Sequence, residues 1–133
     1  MEVWKEWNPW EKTIYRGALE IINDVEALNI IFKQKDGDIV AQYTGGWFSY
    51  KATISKFFEK KIEHLKQQKN INIPQDRYVF KVENADYRQW LREESYGIYE
   101  YGNFKIEHFV YVGSNIVFEV LATCDPKINI ISR

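Results

Sequence analysis

Few side chains in this sequence are suited to chemistry, and their spacing decides which reactions they could run. The histidines are His64 and His108, and Cys124 is the single cysteine. A zinc site takes about four Cys, His or carboxylate ligands at patterned spacing. No CxxC and no HxxxH occurs, so no metal is expected. Neither GxGxxG nor GxxxxGKS/T is present, and Gly45-Gly46 is too short to wrap a phosphate, so it reads as a turn. A thiol nucleophile needs a base beside it and a third group to orient that base. Cys124 follows the last long strand and His108 lies on its hairpin partner, but no third group is evident. Cys124 is therefore read as an inert thiol. No catalytic residue and no cofactor is assigned.

The carboxylates depend on register. Strands are expected from Phe104 to Val112 and from Ile116 to Thr123, joined by Gly113-Ser114-Asn115. A three-residue loop sets Val112 opposite Ile116 and His108 opposite Val120, leaving Glu107 and Glu119 as neighbours on the other face. A two-residue Ser114-Asn115 loop slips the register by one and moves Glu119 to the face of His108. The first register is preferred because it leaves an unbroken apolar stripe. Either arrangement makes an acid–base pair conceivable, since close ionisable groups shift one another's pKa. Glutamates on a wet sheet face are the ordinary outcome. His108 alternates with Phe104, Ile106, Val110 and Val112, so it is read as a core histidine with a buried hydrogen-bond partner.

These side chains need a frame. Thr13–Ile22 reads as a strand with Tyr15, Gly17, Leu19 and Ile21 on one face. Leu28–Gln34 meets Asp36-Gly37, a hairpin signal, and closing it there pairs Gln34 with Ile39, Phe32 with Ala41 and Ile30 with Tyr43. Trp47–Lys51 follows as a short strand of the same meander. A helix is expected from about Thr53 to Lys69, capped by Thr53 or Ser55, with Ile54, Phe57, Phe58, Ile62 and Leu65 inward. Arg77–Glu83 is a strand. Asn84 caps a second helix over Ala85–Glu94, with Tyr87, Trp90 and Leu91 inward. Trp4, Trp7 and Trp10 suit a short helical turn with one sticky face, although Pro9 interrupts it. The tail Ile128–Ile131 is apolar enough to pair at a sheet edge. The expected architecture is α+β: one domain over residues 1–133, with a single antiparallel sheet of about six strands packed with two amphipathic helices.

Composition narrows the function classes. The 133 residues suffice for one core. A formal charge of −1 gives no overall field toward nucleic acid or an anionic membrane. Residues 51–69 carry six lysines against Glu59 and Glu63, while residues 83–107 hold six acidic against three basic side chains, so the charge is patchy. RNA binding would want exposed aromatics beside that lysine-rich helix, and Phe57 and Phe58 are expected inward, so no nucleic acid partner is expected. No apolar run approaches the length of a membrane span, and the N-terminus lacks a signal-peptide pattern. With one cysteine, the expectation is a cytoplasmic location. Aromatics reach 17%, which follows either from an AT-rich coding bias, the plainer cause, or from an aromatic-lined surface.

Val82–Tyr99, followed by His108-Phe-Val-Tyr-Val112, Phe118-Glu-Val-Leu121 and Asp125-Pro126, resembles a group of small uncharacterised bacterial α+β proteins. The resemblance covers roughly the last 60 residues. Some proteins of this kind are encoded near toxin or phage-defence genes, so it implies an immunity-like or antitoxin-like role and brings no catalytic residues. The leading reading is accordingly a non-enzymatic protein-interaction or accessory protein, binding a protein partner or itself. Its surface would hold Trp4, Trp7, Trp10, Tyr96 and Tyr101. An alternative is a small-molecule-binding domain with an aromatic-lined pocket edged by Trp47, Tyr50, Tyr99, His108 and Glu119. A second alternative is a small enzyme using Glu107, His108 or Glu119.

Overall fold

In a computed structural model, residues 3–10, 14–68, 78–83, 86–95 and 105–132 are described. Among them the chain forms β1 (Val3–Glu6), β2 (Leu19–Asn23), β3 (Leu28–Gln34), β4 (Gly37–Tyr43), β5 (Trp47–Ile54), α1 (Ser55–Gln68), β6 (Val79–Glu83), α2 (Asp86–Glu94), β7 (Glu107–Val112), β8 (Ile116–Ala122) and β9 (Lys127–Ser132). The α+β class holds, but the single six-stranded sheet is corrected. The strands build a five-stranded sheet, β1-β6-β7-β8-β5, and a four-stranded sheet, β2-β3-β4-β9, with every pairing antiparallel.

Alternation decides how the layers stack. Leu28, Ile30 and Phe32 of β3 and Ile39, Ala41 and Tyr43 of β4 point to one face and are buried. They join Phe109, Tyr111, Phe118, Val120 and Ala122 of the larger sheet in one apolar cluster between the sheets. At its centre the Tyr43 and Tyr111 hydroxyls bond at 2.6 Å, so neither buried O–H is left without a partner. The opposite face of the larger sheet is roofed by the helices. Phe58 of α1 packs on Trp4, Phe80, Val110 and Val117, while Tyr87 and Leu91 of α2 pack with Ile106 and Leu121. The central strands of the five-stranded sheet are thus covered on both faces.

The largest correction lies on those central strands. The β7–β8 hairpin adopts the two-residue Ser114-Asn115 register, with Val112 opposite Val117, Val110 opposite Glu119 and His108 opposite Leu121. An unbroken apolar stripe favours the other register; here His108 and Glu119 pair with each other on the helix-covered face, so that face carries both. The turn is also tied down from outside: the Asn115 side chain bonds Leu19 N at 2.9 Å and Leu19 O at 3.0 Å, and Ser114 N bonds Gly17 O.

Smaller corrections have equally local causes. The first hairpin closes on Lys35-Asp36, with Gln34 opposite Gly37 and Ile30 opposite Ala41, a slip of two that leaves every face unchanged. Gly37 carries φ +152°, and a Cβ there would sit 2.1 Å from Ile131 O on β9, so the position takes glycine. Of the three tryptophans, Trp4 lies in β1, which pairs with β6, and Trp7 and Trp10 follow it outside any helix or strand. β2 begins only at Leu19. Ser55 opens α1, yet its hydroxyl donates to Gly113 O and does not cap the helix. Phe57 and Ile54 are exposed, while Phe58 and Ile62 face inward. On α2 only Tyr87 and Leu91 are buried, and Trp90 stands 46% exposed.

Candidate functional site

The slipped register puts His108 and Glu119 on the same helix-covered face of adjacent strands. Each is 3% exposed. His108 Nε2 and Glu119 Oε1 lie 2.9 Å apart, and Glu119 Oε2 meets Lys51 Nζ at 3.5 Å. Lys51 arrives there because β5 pairs with β8 so that Lys51 faces Glu119 directly. Burial pushes the Glu119 carboxyl up. The hydrogen bond and attraction from His108, with Lys51 and Lys61, more than offset this and hold its pKa below the usual value. An ionised carboxylate only accepts, so Nε2 of His108 bears the hydrogen and donates it. Nδ1 is buried and has no partner.

α2 closes this polar chain from above. The Tyr87 ring stands edge-on to His108 at 5.5 Å, Lys51 Nζ lies 4.5 Å from the Tyr87 ring centre, and the Tyr87 and Ser49 hydroxyls bond at 2.5 Å. Burial raises the Tyr87 phenol, so it stays neutral and serves as a hydrogen-bonding wall. On one side of the helix lies a concavity of about 480 Å³ lined by Ser49, Tyr50, Lys51, Asp86, Tyr87 and Trp90. Trp90 is 46% exposed there, and its ring leans on Tyr87 at 5.7 Å. The Tyr50 ring is turned to the other face of β5, where it packs on Phe118 at 5.3 Å and its hydroxyl accepts a hydrogen bond from Asn23 Nδ2. On the other side of α2 a larger cleft of about 940 Å³ includes His108 in its wall.

The sequence-derived residues divide accordingly. Tyr50 borders the concavity with its ring turned to the opposite face, and His108 and Glu119 form the buried chain one layer beneath it. Trp47 packs against the core between the sheets and not at this site. Glu107 points to the opposite face, where it pairs with Lys81 at 3.1 Å, so it does not join His108 and Glu119. Trp4 and Trp10 are each only 7% exposed, and Trp7 packs on Phe109 at 5.2 Å, so these rings dock inward. Tyr96, Tyr99 and Tyr101 lie outside the described residues. Cys124 is exposed beside Gly45 O. Among the described residues no three His, Cys, Asp or Glu side chains are grouped to hold a metal, and no helix is long and apolar enough to cross a membrane.

Lys51, Ser49 and Tyr87 are not among the site residues expected from sequence, although Tyr87 is expected inward on its helix. The available signal was the alternation Ser49-Lys51-Thr53, which becomes informative only once the two-residue turn places Glu119 opposite Lys51. No family model, no curated protein and no solved structure matches the chain.

Proposed function

We propose that this is a non-enzymatic small-molecule-binding domain whose ligand is a planar, partly apolar compound held against Trp90 beside Lys51. One observation carries the reading. Trp90 stays 46% exposed beside a concavity of ligand size, in a molecule that buries Phe32, Phe80, Phe109 and Phe118 almost completely. The floor supplies what orients a ligand: the Lys51 ammonium, held by Glu119, and the Asp86 carboxylate at the rim. Turnover is disfavoured because His108 and Glu119 are closed beneath α2, and neither presents a reactive atom to the aromatic concavity.

A ligand that binds only the native state raises its stability, by about 2.7 kcal/mol at a concentration 100 times the Kd. Melting curves across a panel of planar aromatic metabolites should therefore yield at least one compound that raises the melting temperature. That rise should vanish in Trp90→Ala. A panel without any shift, or shifts that survive that substitution, contradicts the reading.

A protein partner is the second reading. What favours it is the same exposure of Trp90 and Tyr50, residue types that dominate interfaces. The inward docking of Trp4 and Trp10 removes much of the surface it first rested on.

A further inference from the structure

β9 ends the four-stranded sheet on one side, and among the described residues no strand pairs with its outer edge. An open edge presents backbone N–H and C=O groups that a further strand can take up. Edges are normally blunted by shortness, charge, a bulge or cover. The other three edges of the two sheets carry such devices. β1 has four residues, of which Lys5 and Glu6 are charged. β5 has an irregularity between Trp47 and Ser49 and carries Lys51. β2 holds Glu20, paired with Lys33, and Asn23 ties its end to Tyr50 of β5. β9 has none of them. Its register with β4 runs unbroken over six pairs, from Gly37 with Ser132 to Gln42 with Lys127, and its one charged side chain is Lys127 at the start.

The side chains of β9 supply a second observation. Ile128 and Ile130 lie opposite Ala41 and Ile39, so both are on the side that faces the core between the sheets. Ile130 is nevertheless 47% exposed, and Ile131 on the outer face is 54% exposed. The apolar layer therefore stops short at this edge.

We propose that β9 is a self-association edge. A second copy of the chain pairs its own β9 antiparallel about a twofold axis, joining the two four-stranded sheets into one of eight strands. The pattern of Lys127–Ser132 is what singles out a second copy as the occupant. Setting Asn129 against Asn129 of the second copy keeps core-facing residues opposite core-facing ones. Ile130 then meets Ile128 of the second copy, and an apolar row runs from Ile39 through Ile130 and that Ile128 to Ala41 of the second copy. On the outer face, Lys127 of the second copy falls beside Ile131, whose partner on β4 is Asp38. Two strand spacings, about 9.6 Å, separate the backbones of that lysine and Asp38, a span the two side chains can bridge. Symmetry makes each of these contacts twice.

Sedimentation velocity of the full chain over a series of concentrations tests this. The weight-average mass should rise from that of one chain and level off at two. Ile130→Lys puts a charge on the core-facing side of the edge, a device that blocks strand addition, and should hold the protein at one chain throughout. Lys127→Glu sets a carboxylate near Asp38 and should weaken the dimer by about tenfold, because the contact occurs twice. A mass of one chain at every concentration overturns the proposal. So does a mass that climbs past two, or a dimer that Ile130→Lys leaves intact. If that variant does not fold, hydrogen exchange of the wild-type chain decides. Protection of the β9 amides should rise with concentration while that of β2, the opposite edge, stays constant, and equal behaviour of the two edges sinks the idea. None of these readouts involves the aromatic concavity, so the ligand reading stands or falls separately.

Discussion

Glu119 is the residue on which the site turns, because a carboxylate 3% exposed is stable only while it is paired. Glu119→Ala leaves the His108 N–H buried without an acceptor and takes the partner of Lys51 away. Breaking a buried pair from one side costs about 3–5 kcal/mol, readable as a lower denaturant midpoint. Replacing His108 and Glu119 together by leucine should cost clearly less than the sum of the single replacements, since no orphaned polar group is left. Additive losses would show that the two side chains do not interact. The pH dependence has a definite sign. Unfolded, Glu119 titrates near 4.5, and folding depresses that value. Below about 4.5 the unfolded chain therefore binds more protons, and stability rises with pH through that window. The contribution is present in full above it and is lost as pH falls through the native value. Glu119→Gln should flatten this acid limb of the stability curve. An unchanged limb would mean that the carboxylate is not held below its ordinary pKa.

At the scale of elements, the hairpin β7–β8 places everything else, and its register is held by one side chain. Asn115 acts as a strand partner for Leu19, accepting from its N–H and donating to its carbonyl. Asn115→Ala should lose about 1–3 kcal/mol, because Leu19 keeps partly buried backbone groups with nothing to bond. Near-neutral stability would show that the turn does not need this link. The same hairpin marks where the sequence is legible and where it stops being so. β3 appears in the alternation of Leu28–Gln34 with its observed bounds, and both hairpins were visible, as was the pairing of the Ile128–Ile131 tail. These features rest on local pattern. The site does not. Whether Glu119 meets solvent or His108 depends on whether a second sheet covers the far face, and no window of sequence around residues 107–122 contains that information. Trp4 shows the same limit, since a three-residue tryptophan spacing suggested a helix and pairing with β6 overrode it.

For the whole molecule, the layers explain why the chemistry collects at α2. The four-stranded sheet packs one face of the larger sheet mainly with aliphatic and aromatic side chains, and the buried His108–Glu119 pair lies on the helix-covered face. α1 seals half of that face through Phe58, and α2 covers the rest with only Tyr87 and Leu91, leaving a concavity on each flank. Trp90 contributes to one concavity and little to the core. Trp90→Ala should accordingly shift the melting temperature far less than Leu91→Ala, whose buried side chain is worth about 2–5 kcal/mol. Comparable losses would place Trp90 in the core.

The most direct test of the binding site is an NMR screen of the labelled full chain against a library of planar aromatic compounds. The account predicts that shifts from the compounds that bind converge on Ser49–Lys51 and Asp86–Leu91, the two segments that face each other across the aromatic concavity. Binding that instead perturbs the outer face of the four-stranded sheet, or a library that leaves both segments unmoved, contradicts it.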